Sequence, residues 1–327
     1  MRRAPRPLVF AGLLALIALL AMLSLQAGRV WVPFAAWTDR ADPRWSIIFE
    51  LRAPRTALAI LIGAGLGMSG AAMQGYTRNP LADPGALGVS SMAALGAVLT
   101  LYFGAGAQAS WVIAAAAMAG ALIAVLLLLA LAGASSSVVA FVLAGVILQT
   151  MAAAGVALAL SLAPNPWASA EIINWLMGSL ADRSSADVAL AAPFILAGCA
   201  LLLLTGRALD ALTLGETGAQ SLGIDLGRVR GLLAVGVALA AGASVAVTGV
   251  VSFVGLIVPH LLRPVVGARP GALLIPSALG GAILVLAADI AVRLTPAAAE
   301  LKLGVAMAAL GGPFFFGLLF SMRRRLA

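Results

Sequence analysis

The chain has 327 residues, of which 63% are hydrophobic and only 10% charged, and its formal charge is +8. A soluble domain carries about 45–50% apolar and about 25% charged residues. These figures exclude an ordinary cytosolic enzyme and a disordered chain. The cations are scattered between long apolar runs, so no face gathers them into a basic groove, and a nucleic-acid partner is excluded too. What is left is a polytopic membrane protein. A crossing helix needs roughly 20 mostly apolar residues, so this length holds about eight to eleven spans. A barrel would need ~10-residue segments of alternating polarity. Runs such as Ala114–Ala132 are longer and unalternated. The expected fold class is therefore an all-α polytopic membrane protein, one transmembrane domain over residues 1–327.

In chain order, Arg2, Arg3 and Arg6 precede an apolar run to about Gln26. It has a signal-like layout but no small-x-small cleavage site, and reads as an uncleaved first span. Residues 27–53 are more polar and carry Trp31, Trp37 and Trp45, as an outer interfacial segment does. Span two is about Ala57–Met73. Gly63 and Gly67 within it form a small-xxx-small step that lets a second helix backbone come close. A loop over Gln74–Pro84 follows. Spans three to five are about Leu87–Phe103, Trp111–Leu131 and Val138–Leu162. Another outer segment holds Trp167, Glu171 and Trp175. Span six is about Val188–Leu204. A polar stretch, Arg207–Arg230, precedes spans seven (Leu232–Val247), eight (Val251–Val265, with Pro259), nine (Leu273–Val292) and ten (Leu303–Phe320). Ten spans put both termini on one side. Arg2, Arg3, Arg6 and Arg323–Arg325 put that side in the cytoplasm. Arg29, Arg40, Arg44, Arg52 and Arg55 then lie outside against the rule, which an acidic external partner would explain.

The chemistry available is sparse. One histidine, His260, excludes a polyhistidine metal site, and one cysteine, Cys199, excludes an intrachain disulfide. There is no Walker A motif, so the chain does not bind ATP in that way. Asp289 is the one acid inside a span, and Arg293 stands four residues on, where an ion pair on one helical face is expected. A lone carboxylate counts against an ion-coupled secondary carrier. Gly67-Met68-Ser69-Gly70 matches the Gly-x-Ser-Gly pattern of rhomboid proteases, with His260 as a formal partner. Such tetrapeptides are common in Gly/Ser/Ala-rich helices, and both residues fall toward the cytoplasmic side.

Several segments together carry a specific resemblance: Leu51-Arg52-Ala53-Pro54-Arg55-Thr56, Ser69–Gly75, Arg78-Asn79-Pro80-Leu81-Ala82-Asp83-Pro84, Leu87-Gly88-Val89-Ser90-Ser91, Ala219–Ile224, Gly249–Arg263 and Leu310–Phe315. In order and spacing they resemble the FecCD permease family, the transmembrane subunits of type II ABC importers for ferric siderophores, haem and cobalamin. The resemblance implies ten helices, a homodimer, two cytoplasmic ATPase subunits that bind ATP and Mg, and a periplasmic binding protein that delivers substrate. It implies no cofactor or metal in this chain and places it in the bacterial inner membrane, with its lipid as neighbour.

The resemblance also implies residue roles. In the loop 207–230 it makes Glu216, Gln220, Ser221, Leu222 and Gly223 the coupling helix that meets the ATPase. Leu214–Leu226 there reads as short helices broken by Gly215, Gly218 and Gly223. Arg52, Arg55 and Arg293 match positions that receive acidic residues of the binding protein. Asn79 and Leu81 match the inner gate loop, with Ser135, Ser136 and Ser137 facing it. Leu143, Gln149 and Met151 are assigned to the translocation path, and His260 to a structural or interface role. The cargo is expected to be haem or a ferric siderophore, with cobalamin the alternative. A secondary carrier and a rhomboid-like protease are the competing classes.

Overall fold

The computed structural model describes residues 6–104, 110–132, 137–296 and 301–326. Among them there is no strand. Ten apolar helices follow one another in the expected order. They are α1 (Arg6–Gln26), α2 (Ala53–Thr77), α3 (Val89–Tyr102), α4 (Ser110–Ala132), α5 (Val138–Ser161), α6 (Ser185–Leu204), α7 (Leu226–Thr248), α8 (Val254–Val266), α9 (Pro270–Leu294) and α10 (Leu303–Leu326). Seven are long and apolar enough to cross a bilayer; α3, α8 and the apolar part of α10 are shorter. Only one face of α1 packs inward, whereas α2 is buried on nearly every side. In a bilayer the apolar outer surface of the bundle is solvated by lipid, so what holds the helices together is close packing rather than hydrophobic burial.

The closest packing is between α2 and α9. A Cβ on Gly63 would overlap the backbone of Gly281, and one on Gly67 the backbone of Ser277. The small-xxx-small step at Gly63 and Gly67 is thus a real crossing, and Gly281 completes it from the other helix. One turn further, Gly70 lies against the Gly255 backbone of α8. Positions 63, 67 and 70 fall on one face of a helix with 3.6 residues per turn, so a single stripe of α2 seats two neighbours. On another face, Gly65 abuts Ala240, which lies in a π-helical turn, Ala238–Gly242, that widens α7 in mid-span.

Two helices are short because the chain is spent elsewhere. α2 ends at Arg78, which caps it in the left-handed region (φ 53°), and a 3-10 turn, Pro84–Leu87, intervenes before α3. α7 ends at Thr248, and residues 249–253 run without helix to Phe253, itself left-handed (φ 69°), before α8 begins. The two non-helical runs meet, with Gly255 against the Pro84 ring. A cleft opens where they do. The three remaining polar stretches also form helices, the first of them Ala35–Thr38 and a π-helical lead-in to α2, Ile47–Arg52. Pro166–Leu176 is capped by Asn165, whose Oδ1 accepts from Ala168 N. Gly206–Leu212 and Glu216–Ser221 fill the segment before α7.

α1 ends beside the end of α9, where Arg293 donates to Ser24 O at 2.9 Å. α10 begins beside residue 178, with Gly304 N bonded to Gly178 O. Hence α1 starts and α10 finishes at the end of the bundle opposite Arg293. That is the same end as the segment 206–226, as an even number of crossings requires.

Candidate functional site

Three regions along one axis carry the polar groups: a basic cluster at the end where α2 begins, a cleft in the middle, and the segment 206–226 at the opposite end.

The basic cluster centres on Asp289, which is fully buried. Its carboxylate takes Arg293 at 2.8 Å, the expected i,i+4 pair, and also Arg55 at 2.8 Å from α2. Arg293 further donates to Ser24 O, Ala27 O and the Ser24 hydroxyl, which pairs with Thr56 at 2.6 Å. Arg52 turns the other way. Its guanidinium donates to the carbonyls of Leu25, Gln26 and Val30 at 2.9, 3.2 and 2.6 Å, and so fastens residues 25–30 to the start of α2. The resemblance made Arg52, Arg55 and Arg293 a surface for acidic residues of a partner. The structure brings the three together but turns them inward, with side chains of Arg55 and Arg293 only 11% and 6% exposed. Buried guanidinium groups need anionic or carbonyl partners, and their own chain supplies them. They still line a cleft of about 410 Å³, shared with Arg29, Asp182 and Arg183.

The middle cleft measures about 650 Å³. One wall is α5 (Gln149, Ala153, Val156, Leu160), another the gate-loop region (Leu81, Asp83, Gly85), and a third the run Val250–Gly255. Ser90, Ser91 and Ser252 supply its few hydroxyls. The wall is mostly apolar, so it offers a passing molecule little to hold. Of the three residues assigned to the path, Gln149 lines this cleft, as does Leu81 of the gate loop. Leu143 and Met151 do not: they are 57% and 59% exposed on a different face of α5. The three were grouped by helix, but 100° per residue points them apart. Asn79 is exposed, and its Oδ1 accepts from Leu81 N at 2.9 Å, building the turn that aims Leu81 inward. Asp83 does the same for Gly85 N at 2.8 Å, and burial pushes its carboxyl above the usual value of 3.8. Ser137 caps α5, its hydroxyl accepting from Ala140 N; Ser135 and Ser136 lie outside the described residues.

At the far end, Gly215 (φ 90°) and Gly223 (φ 80°) bound the helix Glu216–Ser221. Left-handed backbone favours glycine at both places. Gly218 does not break the helix as expected: it lies inside it, and its carbonyl accepts from Leu222 N. Ala219 is buried and roots the helix, while Gln220, Ser221, Leu222 and Gly223 are exposed, as is Leu214. Glu216 behaves differently. Its Oε1 accepts from Val138 N of α5 at 3.3 Å.

Sequence reading missed the tie between α2 and α8. Gln74, buried in α2, donates to Gly255 O at 3.2 Å and accepts from Arg263 at 2.6 Å. The available signal was an amide in an otherwise apolar helix. The protease alternative has no geometry behind it. Ser69 is fully buried with no hydrogen-bond partner. His260 meets Phe314 of α10 edge-on, ring centroids 5.8 Å apart. It points about 140° round α8 from Gly255, the residue that seats on α2. Among the described residues no group of His, Cys, Asp and Glu could hold a metal.

Comparison with known proteins agrees with this architecture. Residues 15–321 match the FecCD transport family. The chain is 38% identical to the vitamin B12 import system permease protein BtuC of Salmonella typhimurium (strain LT2), over 99% of this chain and 97% of the relative. The same protein of Salmonella typhi is 37% identical with the same coverage. Among solved structures, a metal-chelate type ABC transporter in an inward-facing conformation superposes with a TM-score of 0.87 at 30% identity, covering 96% of this chain and 99% of that one. The chain belongs to the FecCD transport family: it is a permease subunit of a type II ABC importer, a multi-pass transport component of the bacterial inner membrane that works with ATPase and substrate-binding partners and is not itself an enzyme.

Proposed function

We propose that the importer carries a large metal chelate, with cobalamin as the cargo and haem or a ferric siderophore as the second reading. The observation that carries it is full-length identity of 38% to permeases named for vitamin B12 import. The metal-chelate type transporter at 30% identity keeps the second reading in view. The apolar cleft of about 650 Å³ fits a path that lets a bulky chelate slide past. Two copies of the chain enclose the path, with the exposed stripe Leu143, Ile147 and Met151 of α5 turned to the second copy.

The termini and the segment 206–226 lie in the cytoplasm. There Gln220, Ser221, Leu222 and Gly223, with Leu214, seat in a groove of each ATPase, which binds the ATP and Mg. Asn79, Leu81 and the serines ending at Ser137 form the inner gate. The binding protein docks at the opposite end, its carboxylates entering the arginine-lined cleft of about 410 Å³ rather than meeting a flat basic surface. Bidentate arginine–carboxylate pairs there set register and association rate.

The test is ATP-driven uptake in proteoliposomes holding permease, ATPase and binding protein, with cyanocobalamin, haem and a ferric hydroxamate as separate cargoes. Uptake of cyanocobalamin alone supports the first reading. Uptake of haem or the hydroxamate with no cyanocobalamin transport overturns it.

A further inference from the structure

We infer that Glu216 is the joint that passes movement of the segment 206–226 to the cleft-lining helix α5, and is not one of the residues that meet the ATPase. This rests on the reading of that segment as the ATPase contact. Within the helix Glu216–Ser221, Gln220 and Ser221 face outward, while Glu216 turns back into the bundle. Its Oε1 accepts from Val138 N, one of the first-turn N–H groups of α5 that no intrahelical carbonyl can take. A carboxylate there also meets the positive end of a 24-residue helix.

The surroundings make the attachment firm. Arg230 and Tyr76 are 6% and 1% exposed. Glu216 and Arg230 both lie close enough to act electrostatically on the Tyr76 hydroxyl. Tyr76 in turn packs edge-on against Phe141, in the first turn of α5, with ring centroids 5.5 Å apart. The start of α5 is therefore held from two sides: by α2 through Tyr76, and by the segment 206–226 through Glu216. Gln149, Ala153, Val156 and Leu160 of the same helix form the cleft wall. Eleven residues separate Val138 from Gln149, about 16 Å of helix at 1.5 Å per residue. An α-helix is stiff over that length. A displacement of Glu216 thus reaches the wall as a shift of α5, without passing through the gate loop.

The test uses the full complex of permease, ATPase and binding protein in proteoliposomes. The native chain has one cysteine, Cys199. In a Cys199→Ala background, Ala153→Cys reports access to the cleft through its rate of reaction with a water-soluble maleimide. With Glu216 intact, trapping with ATP and vanadate should change that rate by about tenfold, within the usual range of coupling between sites. Glu216→Ala should abolish the change while the ATPase still co-purifies and still hydrolyses ATP. Glu216→Gln keeps an acceptor for Val138 N–H and should retain most of the change. An undiminished change in Glu216→Ala would overturn the inference, and so would loss of the ATPase from that variant, because Glu216 would then be a docking residue. No change at all with Glu216 intact would instead reject the coupling reading of the segment.

Discussion

Asp289 is the residue whose removal should be felt most at the end of the bundle where α2 begins. It is fully buried, and two guanidinium groups, each 2.8 Å away and almost buried, depend on it. At an effective dielectric of about 20, one such pair at ~4 Å between charge centres is worth about 4 kcal/mol of Coulomb energy. Two pairs do not add fully, because the arginines repel each other and Arg293 keeps the carbonyls of Ser24 and Ala27. Removing one member of a buried ionic cluster typically costs about 3–5 kcal/mol, since the partners are left charged and desolvated. Asp289→Ala should therefore destabilise the end of α1, the start of α2 and the end of α9 together. Detergent-solubilised membrane proteins usually unfold irreversibly, so the observable is a rate. At 1.4 kcal/mol per tenfold, about 3 kcal/mol makes inactivation roughly a hundredfold faster. Tryptophan emission during isothermal unfolding measures it. The effect should be nearly insensitive to salt, because a buried pair is poorly screened. A change under about threefold, or one that vanishes in high salt, would show that the arginines are solvated and the cluster is superficial. The triple replacement Arg55→Met, Asp289→Leu, Arg293→Met should recover most of the loss, because it removes the desolvation cost along with the attraction.

Gly67→Val should prevent accumulation of folded protein, since its side chain would enter the Ser277 backbone; recovery from membranes by size-exclusion chromatography reports this, and Gly12→Val, which has open space, is the matched control. Leu214→Asp with Leu222→Asp should weaken ATPase co-purification about tenfold or more through lost apolar contact, and leave thermal stability unchanged because both side chains are exposed. Asp83→Asn should stabilise the protein at neutral pH. Burial raises the Asp83 pKa above 3.8, so the folded state holds a proton in a window where the unfolded state has lost it, and stability falls as pH rises through that window. Asparagine keeps the acceptor for Gly85 N, so stability followed against pH should be flatter in the variant, and an unchanged profile would refute the burial account.

Hydropathy alone marked out ten apolar helices in order, because a span must be long and uncharged to sit in lipid. The glycine step at 63 and 67 was legible for a similar reason: on a lipid-solvated helix, small residues at helical spacing have little use except close approach. The pairing of Asp289 with Arg293 was equally local, four residues on one face. The rest depended on which helices meet. That Arg55 shares Asp289 requires α2 beside α9, a contact 234 residues apart in sequence. Without it, outer arginines look like exposed cations waiting for a partner; with it, they are mostly satisfied from within. Leu143, Gln149 and Met151 belong to one helix in the sequence, but only the position of Leu81 and residues 250–255 shows which face of α5 looks into the cleft. Glu216 shows the same limit. Its segment could be read as a cytoplasmic contact from polarity and glycine spacing, but its direction is set by the start of α5, and a sequence does not say which face of a six-residue helix is turned toward a helix 78 residues away. Properties of one segment against its solvent were set by the sequence alone, and properties of side chains between segments were decided by the packing.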